Sequence, residues 1–143
     1  ERPYLRKVFQ EGETRVYEVS PAASRAYFVE GVVYERDRQK TLERLFDKDV
    51  TPMELAFVEK SISLLSVPVM LREHVVIDEY NSNMIRLDVQ AENTRFLVIS
   101  NVYDSNWKAY IDGKKTDIIR ANYVFQGLVV PEGKHEIVLR YRG

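Results

Sequence analysis

The chain has 143 residues, 21 basic and 22 acidic side chains, two histidines and no cysteine. This length is typical of one domain, large enough to bury a core without metal or disulfide support. The net charge of −1, with no segment of one-sided basic charge, argues against electrostatic attraction to nucleic acid or to anionic lipid headgroups. The lack of cysteine excludes thiol nucleophiles, zinc thiolate sites and disulfides.

The first part of the chain mixes short strands with a helix. Segments rich in Val, Tyr and Phe, separated by Ser20-Pro21 and Glu30-Gly31, are predicted to be strands: residues 15–19, 25–29 and 32–35. Asp37 is a suitable N-cap for a short amphipathic helix over about residues 38–46, where apolar side chains recur at helical spacing.

The next segment, residues 51–57, fits two structures. Thr51-Pro52-Met53-Glu54 has the spacing of a helix capping box with proline at the first helical position. Met53, Leu55 and Phe57 instead alternate as in a strand, and this alternation favours the strand.

From residue 74 the pattern is that of antiparallel strands. Residues 75–80 and 84–90 flank the turn-prone Asn81-Ser82-Asn83, and the second segment alternates apolar with polar side chains as a half-buried strand does. Residues 96–99 are continuously apolar, which predicts a central strand covered on both faces.

Two more hairpins are predicted near the end of the chain. Residues 107–111 lead into Asp112-Gly113, a dipeptide favoured by type I′ turns, and residues 116–120 form the return strand. Residues 123–130 and 135–141 form the second hairpin around the turn Pro131-Glu132-Gly133.

The closely spaced strands suggest a β-sandwich or barrel, and we predict a mainly β, jelly-roll-like antiparallel sandwich with one or two short helices. Residues 1–73 would be the mixed part and residues 74–143 the antiparallel core of a single domain. The apolar stretch 62–71 is too short for a transmembrane helix, which needs about 20 residues. No signal peptide is visible. The chain starts at Glu1 and not at Met, so either a start residue was trimmed or the sequence is a piece of a longer protein, and we expect the second.

Motifs for catalysis or metal binding are weak. His74 and His135 are expected at strand ends, solvated or hydrogen-bonded, with His135 partly buried. Residues 47–51 match the DxDxT pattern of aspartyl-phosphate phosphotransferases, but a helical segment precedes them, so a solvated turn is predicted. Residues 104–106 begin like a calcium loop that then lacks its glycine and glutamate. No cofactor or metal is expected.

Aromatic side chains cluster around one loop and two hairpins: Tyr103, Trp107, Tyr110, Tyr123 and Phe125. An exposed ring beside Asp or Asn can hold a sugar, because the ring stacks on the apolar face of the sugar while polar groups pair with its hydroxyls. The alternative, favoured by the small size of the sandwich, is that these rings fill the core.

Three motifs follow one another here: Trp-Lys-Ala-Tyr-Ile-Asp-Gly-Lys over residues 107–114, Arg120-Ala121-Asn122, and Pro131, Gly133 and His135 at Pro-x-Gly-x-His spacing. Residues 102–141 thereby resemble the C-terminal region of the YfhO-type bacterial membrane proteins, large polytopic proteins related to the GT-C class of glycosyltransferases that use lipid-linked sugars. Residues 25–29 resemble the segment that precedes this region. Ser105-Asn106 stand where the family usually has Pro-Gly.

The resemblance implies a non-catalytic accessory domain at the extracytoplasmic face of the bacterial cytoplasmic membrane. Any catalytic acidic residues would lie in loops of a transmembrane region outside this sequence. The implied partners are that transmembrane region and a cell-envelope glycan or lipid-linked sugar. The residues expected to bind a glycan, by ring stacking and by hydrogen bonds, are Trp107, Tyr110, Arg120 and Asn122.

Two other functions stay open. A structural or protein-interaction module would pack on its own membrane domain or on a partner through an exposed apolar patch, for which residues 62–71 are the candidate. A free-standing small enzyme would need a concave site with a strongly perturbed titratable group, and no motif in the sequence indicates one.

Overall fold

The structure is a computed structural model, and it describes residues 5–11, 14–19, 25–47 and 54–142. Strands dominate these residues. In chain order the elements are β1 (Leu5–Glu11), β2 (Thr14–Val19), β3 (Ala26–Val29), β4 (Gly31–Tyr34), α1 (Arg38–Leu45), β5 (Leu55–Val58), β6 (His74–Tyr80), β7 (Met84–Ala91), β8 (Arg95–Val102), β9 (Trp107–Ile111), β10 (Lys114–Thr116), β11 (Ile119–Ala121), β12 (Phe125–Val130) and β13 (Gly133–Tyr141).

The described strands form two large sheets and one separate hairpin. One sheet has the order β10-β9-β13-β7-β6, the other has the order β3-β8-β12-β11-β5-β4, and β1 pairs with β2. Strand pairs in the described part of the chain are antiparallel except β4 and β5, which run parallel with α1 in the connection between them. The mainly β sandwich with one short helix is therefore confirmed, with one parallel pair added.

The core lies between the two sheets. Its centre is built from aliphatic side chains that alternate along strands of both sheets: Ile85, Leu87, Val89, Leu97, Ile99, Leu128, Ile137 and Leu139. A second apolar cluster covers the other face of the six-stranded sheet and includes Phe96 and Val98 of β8, with Ile62 and Leu64 packed against it. The prediction that residues 96–99 are covered on both faces is confirmed.

The continuous return strand predicted over residues 116–120 is wrong. β10 ends at Thr116 in the five-stranded sheet, and β11 begins at Ile119 in the six-stranded sheet. Asp117 and Ile118 carry the chain from one sheet to the other. A short run of alternating residues does not show which sheet each residue joins, so the pattern concealed this crossing.

The second predicted hairpin is also wrong. β12 belongs to the six-stranded sheet and β13 to the five-stranded sheet, so Pro131-Glu132 connects two sheets and does not close a hairpin. β12 also begins later than predicted, at Phe125. Asn122 and Tyr123 have φ of 49° and 78°, which places them in a left-handed turn that ends the preceding strand.

Several local predictions are confirmed. Asp37 caps α1, because its Oδ1 accepts hydrogen bonds from the backbone N–H groups of Gln39 and Lys40 at 2.9 and 3.3 Å. Asp112 and Gly113 both have positive φ, 51° and 83°, as a type I′ turn requires.

Two predictions fall partly outside the described residues. Residues 55–57 of the ambiguous segment lie in β5, which confirms the strand there, whereas residues 51–53 and most of the DxDxT match lie outside the described part of the chain. Among the described residues, no helix is long and apolar enough to cross a membrane.

Candidate functional site

A solvent-open cleft lies where β5 and β8 end. Glu59 and Lys60 directly follow β5, Tyr103 directly follows β8, and the backbone N–H of Glu59 donates to the carbonyl of Arg120 at 3.3 Å. The cleft has a volume of about 340 Å³ and is lined by Arg38, Glu59, Lys60, Tyr103, Asp117, Ile118, Ile119 and Arg120. We call it the Tyr103 cleft.

A second hollow of about 240 Å³ adjoins the Tyr103 cleft. The two share Tyr103, Asp117 and Ile118, and the second hollow extends to Trp107 and Lys108 on β9. The wall that the two hollows share is therefore formed by Tyr103 and by the crossing between β10 and β11, which consists of Asp117 and Ile118.

The Tyr103 cleft combines a planar ring with opposite charges. The guanidinium carbon of Arg120 lies over the Tyr103 ring, 4.5 Å from its centroid. Arg38 Nε lies 3.2 Å from both carboxylate oxygens of Glu59, and Lys60 Nζ donates to Asp117 Oδ2 at 3.1 Å. The cleft therefore offers an aromatic ring for stacking, guanidinium groups as hydrogen-bond donors and carboxylates as acceptors.

The structure separates the predicted glycan-binding residues. Arg120 lines the Tyr103 cleft, and Trp107 lines the adjoining hollow while its ring is largely buried against Tyr141, with ring centroids 5.5 Å apart. Tyr110 lies on the opposite face of β9, because it alternates with the buried Trp107 and Ala109.

Asn122 also lies away from the cleft. It is buried in the turn before β12, and its Oδ1 accepts a hydrogen bond from the N–H of Phe57 at 2.9 Å. The binding role of the four residues stays a prediction, with Trp107 and Arg120 the pair that the fold brings to one place. The burial of Trp107 in the core matches the alternative in which the aromatics serve packing.

Sequence reasoning missed most of the polar lining of the cleft. Arg38, Glu59 and Asp117 come from a helix start, a strand end and a sheet crossing. Asp117 carried a usable signal, since aspartate is disfavoured inside a strand and was the second residue of the predicted one. The charged pair Glu59-Lys60, directly after an apolar run, was a weaker signal for the end of a strand.

A second polar constellation joins the β9–β10 turn to β13. His135 Nδ1 lies 2.6 Å from Asp112 Oδ2, and His135 Nε2 lies 3.1 Å from the carbonyl oxygen of Glu132. Asp112 Oδ1 accepts a hydrogen bond from the N–H of Glu136 at 2.9 Å. Because both neighbours of the imidazole are acceptors, both ring nitrogens donate when the ring is charged.

This arrangement shifts both titrations. The hydrogen bond to Asp112 raises the pKa of His135, outweighing the opposing effect of burial. The hydrogen bonds from His135 and from the Glu136 backbone lower the pKa of Asp112. The expected partial burial and hydrogen bonding of His135 are confirmed, and His74 is exposed at the first residue of β6, as expected. No cluster of three or more potential metal ligands occurs in the part of the chain that the structure describes.

Comparison with known proteins identifies one family. Residues 57–143, more than half of the chain, match the sequence model of the family described as "Bacterial membrane protein YfhO". The matched range runs from β5 to the end of β13 and contains the three motifs over residues 107–135. No curated protein and no solved structure matches the chain.

Proposed function

The chain belongs to the YfhO family of bacterial membrane proteins, and we propose that its β-sandwich is a non-catalytic accessory domain that holds a glycan in the Tyr103 cleft on the extracytoplasmic side of the membrane. The observation that carries this proposal is the stacked pair of Tyr103 and Arg120 in an open cleft with two carboxylates. The glycan belongs to the cell envelope or to a lipid-linked sugar.

The cleft chemistry suits a sugar. Sugar hydroxyls both donate and accept hydrogen bonds, and the cleft offers carboxylate acceptors on Glu59 and Asp117 and guanidinium donors on Arg120. Arg120 covers one face of the Tyr103 ring, whereas Tyr103 also lines the adjoining hollow. A glycan in the cleft that extends into that hollow can stack one sugar ring on the tyrosine while its hydroxyls reach the polar groups of the cleft.

The charge pairing favours binding over chemistry. Each carboxylate of the cleft is held by a cation, Glu59 by Arg38 and Asp117 by Lys60. Glu59 is largely buried, and its pairing with Arg38 positions it to accept hydrogen bonds from hydroxyl groups at low entropic cost, whereas the exposed Lys60–Asp117 pair fixes its carboxylate only weakly. We therefore assign the cleft a binding role and assign no bond-making step to it.

The test is a titration of the 15N-labelled chain with oligosaccharides released from bacterial cell envelopes, followed by amide chemical shifts. We expect shifts confined to the cleft, at residues such as Tyr103, Asp117 and Arg120. Tyr103→Ala should weaken binding by about tenfold, the loss of one aromatic stacking contact. Tyr110→Ala, on the other face of β9, should leave the affinity unchanged.

Two results would overturn the proposal. One is the absence of cleft shifts at saturating oligosaccharide. The other is a folded Tyr103→Ala variant that retains its full affinity. If Tyr110→Ala weakens binding instead, the glycan lies on the outer face of the five-stranded sheet and the Tyr103 cleft is not its site.

A further inference from the structure

An irregular segment, residues 61–73, crosses the outer face of the six-stranded sheet and contains an exposed apolar stretch near its end. Ile62 and Leu64 pack onto that sheet. Beyond them, residues 68–71 (Pro-Val-Met-Leu), which we call the apolar tip, are exposed to solvent. Val69 is 37% exposed, Met70 is 49% exposed and Leu71 is fully exposed.

The apolar tip is fastened at both ends by one buried arginine. Arg95, the first residue of β8, is fully buried and donates to the carbonyl oxygens of Val67 and Pro68 before the tip. It also donates to both carboxylate oxygens of Glu73 after the tip, each at 2.6 Å. Glu73 Oε1 in turn accepts from the backbone N–H of Met70 at 3.2 Å.

The hydrogen bonds at both ends of the tip hold its apolar side chains in solvent and keep them from packing onto the domain. Burying an ion pair costs desolvation, which is repaid only where hydrogen bonds satisfy both partners, as they do for Arg95 and Glu73. The result is a loop held at both ends by hydrogen bonds that presents Val69, Met70 and Leu71 to water. Adjacent exposed aliphatic side chains on a fixed loop are typical of a surface that another apolar phase covers.

We propose that the apolar tip inserts into the interfacial layer of the lipid bilayer and thereby orients this domain on the membrane. The chain belongs to a family of membrane proteins, so a bilayer lies beside the intact protein. This inference goes beyond glycan binding and does not depend on it.

The size and charge of the tip favour lipid over a protein partner. A stable protein interface buries about 800 Å² on each side, far more than four adjacent residues provide. The sequence carries no charged residue from 61 to 71, and Arg72 follows immediately. The Arg72 side chain is 82% exposed and its Nε lies 3.8 Å from Glu92, which leaves it available to anionic headgroups beside an inserted tip.

The absence of cysteine allows a direct test. Leu71→Cys, labelled with an environment-sensitive fluorophore, places one probe on the tip, and Ser105→Cys places the same probe in the exposed loop after the other end of β8. Both are mixed with vesicles of phosphatidylethanolamine and phosphatidylglycerol. We expect blue-shifted, brighter emission from position 71 that a lipid-embedded quencher suppresses, and unchanged emission from position 105.

A second measurement uses the unlabelled chain in vesicle flotation. The double variant Met70→Ser/Leu71→Ser should lower the vesicle-bound fraction at least about fivefold, the effect of removing two aliphatic contacts with lipid. Leu65→Ser, which changes an exposed leucine outside the tip, should not. Because every substituted side chain is exposed, all variants should remain folded.

Other outcomes would overturn the inference. Unchanged emission at position 71 in the presence of vesicles means that the tip does not enter lipid. Equal changes at positions 71 and 105 mean non-specific adsorption. A change at position 71 that depends on protein concentration without vesicles means that a second copy of the chain covers the tip. None of these readouts involves glycan, so this inference and the proposed function can fail separately.

Discussion

Asp112 and His135 are joined across 2.6 Å, from the Oδ2 of a residue in a left-handed turn to the Nδ1 of a residue on the neighbouring strand. The second carboxylate oxygen of Asp112 accepts the N–H of Glu136, so the turn is attached to β13 at two points. Turn residues 112–113 and His135 both belong to the motifs that carry the family resemblance. Their contact therefore joins the first of these motifs to the last.

We expect stability to fall on the alkaline side because of this pair. The pKa of His135 is raised in the folded chain, so its contribution is complete below the unfolded-state pKa of about 6.5. The contribution is lost as pH rises through the higher folded-state pKa. The pKa of Asp112 is lowered, so its contribution is lost as pH falls through that lowered value.

The measurement is the free energy of unfolding in denaturant across this pH range, with Asp112→Asn as the comparison. The variant should lose most of the decline above pH about 6.5. His74→Gln leaves one imidazole to follow by NMR, and its titration midpoint should drop when Asp112→Asn is added. An unchanged midpoint would show that Asp112 does not hold the imidazolium.

Loss of the buried arginine should be strongly destabilising. Arg95→Met leaves the Glu73 carboxylate buried without its partner, and we expect a loss of about 3–5 kcal/mol in the free energy of unfolding. Burial alone raises the pKa of Glu73, but the hydrogen bonds from Arg95 and from the Met70 N–H hold it below its ordinary value.

Two controls separate the buried pair from general effects of charge. Arg72→Met removes an exposed arginine 3.8 Å from Glu92 and should cost less than about 1 kcal/mol. The double variant Arg95→Met/Glu73→Met should recover much of the stability lost by Arg95→Met, since no unpaired charge stays buried. A single Arg95→Met variant as stable as the native chain would contradict this account.

Asn122 should act through the fold. Its Oδ1 satisfies the Phe57 N–H and its φ of 49° suits asparagine or glycine. We expect Asn122→Gly to lose about 1–3 kcal/mol from the unpaired buried donor, and Asn122→Ala to lose more because alanine adds backbone strain. Equal losses for the alanine and glycine variants would exclude the strain component.

Glycines 113 and 127 should respond differently to alanine. A Cβ on Gly127 would overlap the Phe96 ring, so Gly127→Ala should cost about 1–3 kcal/mol or more through overpacking. A Cβ on Gly113 meets open space, and only its positive φ of 83° opposes alanine, at about 1 kcal/mol. Phe96→Leu should partly rescue Gly127→Ala in thermal or chemical unfolding, and a smaller loss at Gly127 than at Gly113 would refute the packing argument.

Local turn chemistry was predictable from the sequence, but the sheet that each strand joins was not. Asp112-Gly113 needs two positive φ angles, and the structure has them. Pro131-Glu132-Gly133 also predicts a change of chain direction, but there the chain passes to the other sheet and does not form a hairpin. Turn residues encode local backbone angles, whereas the choice between sheets depends on long-range packing that periodicity does not record.

The same limit applies to the Tyr103 cleft. Tyr103 stood out as an aromatic, but its polar neighbours Arg38, Glu59 and Asp117 are far apart in the chain. Motif similarity pointed to Asn122, whose conformation and hydrogen bond serve the turn. Residues within a motif can therefore maintain a backbone geometry as well as contact a ligand.

Strand β8 also sets a distance. Arg95 is its first residue and Tyr103 follows its last, and eight residues of extended strand span about 26 Å. A domain standing on its apolar tip, with β8 along the membrane normal, would hold the Tyr103 cleft about 2.6 nm from the lipid surface. A sugar attached directly to its lipid anchor would then be out of reach of the cleft. The length of β8 would therefore restrict binding to the distal sugars of a longer glycan chain.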